Sequence, residues 1–213
     1  MKYQDLGRGL VKRTEKRVLG LFIDGTSLDR ASRRINKRVD MQALVKGVIS
    51  GAEPVVARYY TLIPFEDDSR QRSFLDAISR AGLQVIVKRL PPKGITRQVT
   101  IDVEMAADIT AFALGHSNFG SLSEYLPDGE PSRDDEYETR DGDRRSEESQ
   151  GAVRRIVTLV CPSRDLAYSI SLANELGAET ITADFGEFGG GDVMKSAAKW
   201  IDLSGSESIW RED

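Results

Sequence analysis

Cysteine and histidine are almost missing from this chain of 213 residues, with Cys161 and His116 the only ones of their kind. One cysteine closes no intramolecular disulfide and builds no cysteine-based zinc cluster. One histidine leaves zinc-hydrolase and Ser-His-Asp schemes little to work with. Long apolar runs are missing too. The stretch at 18–23 follows Lys12, Arg13, Lys16 and Arg17 and so imitates a secretory signal, but it is short and stops at Asp24. It reads as an internal strand; no other stretch is long and apolar enough to cross a bilayer, and a cytoplasmic location without membrane partners is expected. The third absence is a large basic excess. At a net charge of -4, any grip on nucleic acid has to be local or metal-assisted. What is present is the composition of a soluble globular protein, long enough to bury one sizeable core.

The most telling feature is Leu19-Gly20-Leu21-Phe22-Ile23 running into Asp24-Gly25-Thr26-Ser27-Leu28. An apolar strand that ends in an acid and a glycine places a carboxylate at the carboxyl end of a buried parallel strand, where open α/β sheets bind ligands. Gly25 is expected to turn the chain sharply. Two further acids stand where strands and helices meet: Asp102 opens the pattern at 102–114, and Asp165 follows the apolar run at 156–161. Three such acids suit a divalent cation held by hard oxygen ligands. For Asp102 and Asp165 a helix N-cap is the competing role and, taken singly, the commoner one. Asp24 is harder to read as a cap, because no convincing helical pattern begins within several residues of it.

Elsewhere, 41–49 has Leu44, Val45, Val48 and Ile49 at helical spacing behind Asp40, and 55–63 is a β-branched and aromatic strand stopped by Pro64. A helix carrying Phe74, Leu75 and Ile78 closes at Gly82; a strand at 84–90 ends at Pro91 and Pro92. Beyond the acidic segment come a strand at 155–161, a helix at 165–176, a strand at 179–183, a short helix at 193–198 and a last run at 200–203. Strands alternating with helices predict a three-layer α/β/α domain around a mainly parallel sheet. The domain is expected over 17–203, between a basic N-terminal extension at 1–16 and a C-terminal tail at 204–213. It is interrupted at 116–152 by a segment rich in Gly, Ser and acids that lacks apolar periodicity and is expected to be a disordered insertion. Gly189 to Gly191 have neither the lysine of a P-loop nor dinucleotide-fingerprint spacing, so no nucleotide cofactor is implied.

Several of these segments together resemble the NYN branch of the PIN-like nucleases, the group that includes LabA-type (DUF88) proteins. Phe22-Ile23-Asp24-Gly25-Thr26-Ser27 is similar to the family's Asp-Gly-x-Asn turn, with Ser27 for asparagine. Arg58-Tyr59-Tyr60 resembles its paired tyrosines, and 74–82 its Phe-Leu-x-x-Leu-x-x-x-Gly helix. Thr100-Ile101-Asp102-Val103 with Asp108 is similar to its Lys-Gly-x-Asp-Val segment and second acid, although Val99 stands in the lysine position. Cys161-Pro162-Ser163-Arg164-Asp165-Leu166 aligns with its Ser-Gly-Asp-x-Asp-Phe turn and keeps only the second acid. The closing 197–203 is also like the family's. The Asp24-Gly25-Thr26 turn alone has a likeness to haloacid-dehalogenase phosphatases, but Phe22 occupies the place of their nucleophilic aspartate.

The resemblance implies a metal-dependent ribonuclease acting on single-stranded or structured RNA. Asp24, Asp102 and Asp165 are the expected catalytic and metal-holding residues for Mg²⁺ or Mn²⁺, with Asp108 as a further ligand or an orienting group and Ser27 and Ser163 in support. Such chemistry needs water of lowered pKa and positive charge against the phosphate oxygens. Serine at 27 and 163 thins the donor set, so the competing expectation is a catalytically degenerate RNA-binding or protein-interaction module of the same fold. Lys88, Arg89, Lys93, Arg97 and Arg164 are candidates to grip the RNA backbone, or else a solvated rim. Tyr59 and Tyr60 could stack on bases, although strand alternation sends at least one into the core. The pattern is compatible with a homodimer and names no protein partner.

Overall fold

The structure, a computed structural model, describes residues 15–49, 51, 53–65, 69–118, 124–125, 153–186 and 191–211. Seven strands make one sheet: β1 (Lys16–Asp24), β2 (Val56–Ile63), β3 (Gln84–Arg89), β4 (Glu124–Tyr125), β5 (Val153–Val160), β6 (Glu179–Asp184) and β7 (Lys199–Asp202). The helices are α1 (Gly25–Arg34), α2 (Met41–Val48), α3 (Ser69–Arg80), α4 (Asp102–Ala113), α5 (Ala167–Glu175) and α6 (Gly191–Ser196). Strand order is β4-β3-β2-β1-β5-β6-β7, and only the β3–β4 pair is antiparallel. From β1 the chain winds outward through β2 and β3; it then returns to place β5 against the other side of β1 and winds outward again. The carboxyl ends of β1 and β5 therefore frame the topological switch point, where a crevice opens in sheets of this kind.

Both faces of the sheet are covered. Leu28, Ala31, Leu44, Val48, Leu75 and Ile78 from α1 to α3 pack on Leu21, Ile23, Tyr59 and Val160. On the other face Met105, Ile109, Phe112, Ile170 and Val193 from α4 to α6 pack on Phe22, Tyr60, Ile86, Val157 and Leu159. This two-sided burial explains why β1 is an unbroken apolar run and not an alternating one. Each fully buried Leu, Ile or Phe of that run contributes on the order of 2 kcal/mol. It also puts both tyrosines of the pair inside, at 2% and 0% exposure. Neither ring is placed to stack on a base: alternation sends one to each face, and both faces are core.

Two segments differ from expectation. The helix α1 starts directly at Gly25; its apolar stripe is only Leu28 and Ala31, extended by the partly buried Ile35, among arginines that hide the period. Within the acidic segment, Glu124–Tyr125 add an edge strand to β3, while 119–123 and 126–152 lie outside the described residues. Residues expected in a tail are also built in. A 3-10 turn at Glu207–Ile209 buries Ile209, whose carbonyl accepts from Asp40 N at 2.8 Å, and the Trp210 ring stacks on Phe185 at 5.4 Å. Among the described residues no helix is long and apolar enough to cross a membrane.

Candidate functional site

Asp24 is the last residue of β1 and only 2% exposed. It is also the N-cap of α1: Ser27 N donates to Oδ1 at 2.9 Å and Ser27 Oγ to Oδ2 at 2.7 Å. The expected roles of the three acids are thus reversed. Asp102 is the first residue of α4, whose cap is Ile101 with no side-chain bond; its carboxylate accepts from the Thr100 hydroxyl. Asp165 sits exposed inside a 3-10 turn, Arg164–Leu166, capped by Ser163, again without a side-chain bond. So the acid judged least like a cap is one, and the other two are not.

Gly25 has a different reason from the one expected. Its backbone is helical; a Cβ there would stand 2.2 Å from Cζ of Tyr59. The glycine makes room for a buried phenol ring, and that contact seats the Asp24 turn against β2.

Asp24 carries an electrostatic load. Burial pushes its carboxyl pKa up, the Ser27 amide and hydroxyl pull it back, and the nearby charge of Asp102 pushes it up further. No cation among the described residues bonds to it. Asp108 is the opposite case: Arg58 Nη1 donates to its Oδ2 at 2.5 Å and Tyr60 Oη at 2.6 Å, and Arg58, itself 2% exposed, is steadied by Gln84 Oε1 at 2.7 Å.

At the end of β5, Cys161 takes a left-handed φ of 49°, which costs on the order of 1–3 kcal/mol in a residue with a side chain. Its buried thiol donates to Asp184, and burial raises the pKa of both groups. Asp184, the last residue of β6 and 7% exposed, is an acid the sequence reading missed. The signal was available, since it ends an apolar strand as Asp24 does. Beyond Cys161, the buried Oγ of Ser163 and, after β1, Oγ1 of Thr26 have no hydrogen-bond partner. Two unsatisfied hydroxyls thus stand at the two turns of the switch point.

Among the described residues no group of three or more Asp, Glu, His or Cys stands close enough to hold an ion. The acids coupled at this edge are Asp24 with Asp102, and Asp184 with Asp202. Of the expected basic grip, Lys88 is paired with Glu104 at 2.6 Å, and exposed Arg89 reaches the Phe65 carbonyl at 3.4 Å. Lys93 and Arg97 are exposed in the irregular segment between β3 and α4, and Arg164 is exposed on the β5 turn.

Comparison with known proteins agrees with this topology. A family model described as the NYN domain matches residues 18–120, from β1 through α4. That match covers just under half of the chain. Over nearly its whole length the fold is similar to the crystal structure of a protein of unknown function from Vibrio parahaemolyticus. The TM-score is 0.64 and the identity 12%, over 92% of this chain and 97% of that one, a likeness of fold alone. No curated protein matches the chain.

Proposed function

We propose that the protein is a metal-dependent ribonuclease whose reaction centre is the β1 turn. The observation that carries this reading is the placement of Asp24: a buried carboxylate at the switch point, met by neutral donors and by a second acid. A buried carboxylate that also feels the charge of a second acid attracts a cation, and Mg²⁺ is commonly held by one or two carboxylates plus waters and substrate phosphates. Asp24 and Asp102 fit that role, with Asp165 on the neighbouring turn as the third expected donor. A bound Mg²⁺ or Mn²⁺ supplies positive charge against the phosphate oxygens and lowers the pKa of water. The protein's own part is to hold these oxygens still. Ser27 fixes both oxygens of Asp24, Thr100 orients Asp102, and the Arg58–Tyr60 pair holds Asp108 as a positioning residue for α4.

A second reading has its own support. The bonds from Ser27 occupy both Asp24 oxygens, and Asp165 is exposed, as expected of a module that binds RNA without cutting it. One experiment separates the two. Single-stranded and hairpin RNA pools are incubated with the purified chain in Mn²⁺, Mg²⁺ or EDTA. The nuclease reading expects slow cleavage, faster in Mn²⁺, abolished by EDTA and by Asp24→Asn, and strengthened by Ser27→Asn with Ser163→Asp. No metal-dependent cleavage, with RNA affinity indifferent to EDTA, would replace it with the binding module.

A further inference from the structure

We propose that the cleft between α1 and the β5 turn is a terminal-phosphate pocket, receiving the phosphate monoester at one end of an RNA strand. The proposal rests on RNA being the ligand and is independent of whether the chain cuts it. The cleft has a volume of about 310 Å³ and opens beside Ser27, the residue that caps Asp24. Its near wall is one stripe of α1, Ser27, Arg30, Ala31 and Arg34, spaced three and four apart so that they share a helix face. Its far wall is the β5 turn, where left-handed Cys161 swings Pro162, Ser163 and Arg164 toward the same space.

Two guanidinium groups of this small concavity, Arg30 and Arg164, call for an anion, and Arg30 stands four residues from Arg34, where like charges on a helix repel. Arg33, on the next face, is neutralised by Asp29 at 3.0 Å. Arg30 and Arg164 have no ion pair among the described residues. The one acid in the lining, Asp184, is turned to internal partners, accepting from the Cys161 thiol and from Phe185 N at 2.7 Å. Ser163 lines the same cleft, and its buried hydroxyl has no partner of its own.

Size and charge choose the ligand. At this volume the cleft lies at the low end of ligand pockets, roughly 300–1,000 Å³, so it suits the end of one strand better than a duplex. A phosphate monoester carries about -1.5 to -2 near neutral pH, against -1 for an internal diester, and arginine forks meet its oxygens two at a time. The monoester matches the two guanidinium groups of Arg30 and Arg164 better.

The test measures binding without turnover. Three fluorescent eight-nucleotide RNAs of one sequence, carrying a 5′-phosphate, a 3′-phosphate or hydroxyls at both ends, are titrated with the full chain in EDTA. We expect one phosphorylated form to bind about tenfold tighter than the hydroxyl form. The preference should shrink to within about twofold in Arg30→Gln with Arg164→Gln, two exposed positions whose change leaves the urea unfolding midpoint unaltered. Equal binding of all three RNAs by the wild type overturns the proposal, as does a preference that survives the double change. If the double variant weakens all three RNAs alike, the cleft holds an internal diester and the terminal-phosphate assignment is wrong. Because no metal is present, a cleavage assay that fails leaves this result standing, and the reverse also holds.

Discussion

Asp24 and Asp108 are carboxylates withdrawn from water in the same domain, and their surroundings are opposed. Asp108, on α4, faces a buried guanidinium and a buried phenol, so its charge is met at 2.5 and 2.6 Å. Asp24 is buried more deeply and is met by neutral donors, the Ser27 amide and hydroxyl and the Thr26 amide, with a second acid adding to its load. The first arrangement holds α4 to the sheet and is complete within the protein. The second has no counter-charge among the described residues, which is the condition the proposed metal site starts from. The residue alignment alone offers both as site acids; the charge facing each one separates a structural carboxylate from a functional candidate.

The contrast is broken most severely from the structural side. Asp108→Ala takes from the buried Arg58 its carboxylate partner at 2.5 Å, and breaking a buried ion pair by removing one member costs about 3–5 kcal/mol. Urea unfolding should show that loss. A loss below about 1 kcal/mol would mean that water reaches Arg58 and that the pair is not structural. Next comes Gly25→Ala. The new methyl falls inside the Tyr59 ring, 2.2 Å from Cζ, and overpacking of this kind costs about 1–3 kcal/mol. Since the strain bears on the turn that carries Asp24, RNA cleavage should fall along with the unfolding midpoint. An unchanged midpoint would show that the ring moves aside and that Tyr59 does not seat the turn.

Much of the fold was legible because each inner strand is a short apolar run with breakers at its ends, and apolar spacing marked α2 and α3. The helix α1 was not, since three arginines crowd its two buried apolar residues and swamp the pattern. Missing α1 is what made Asp24 look unlike a cap. Nor could a two-residue strand such as β4 be seen, because its partner β3 defines it and not its own composition. At the site, strand-ending acids pointed to the correct edge of the sheet. Asp184 escaped because the strand was ended one residue early, at Ala183. The charges opposite Asp24 and Asp108 come from elements 48 to 78 residues apart in the chain, and local spacing carries no trace of them.

The smallest effect gives the sharpest view of Asp24. Its folded pKa is raised by burial first and by Asp102 in addition, so the folded protein holds the Asp24 proton more tightly than the unfolded chain does. Below the unfolded carboxylate range both states are protonated and the residue costs nothing. As pH rises through the unfolded value toward the folded one, the unfolded chain ionises first and the wild type loses stability; above the folded value the loss is constant. Asp24→Asn keeps an oxygen for Ser27 N and removes the titration. The variant should therefore match the wild type near pH 3 and exceed it near pH 7 by about 1 kcal/mol, a rise in Tm of a few degrees. Mn²⁺ should then close the gap: a cation bound only by the folded wild type stabilises it in proportion to the logarithm of its concentration, and leaves the variant unmoved. Parallel thermal melts across pH, with and without Mn²⁺, measure both effects. If Asp24→Asn is less stable than the wild type at neutral pH without metal, the buried charge is already compensated inside the protein, and Asp24 joins Asp108 as a structural carboxylate.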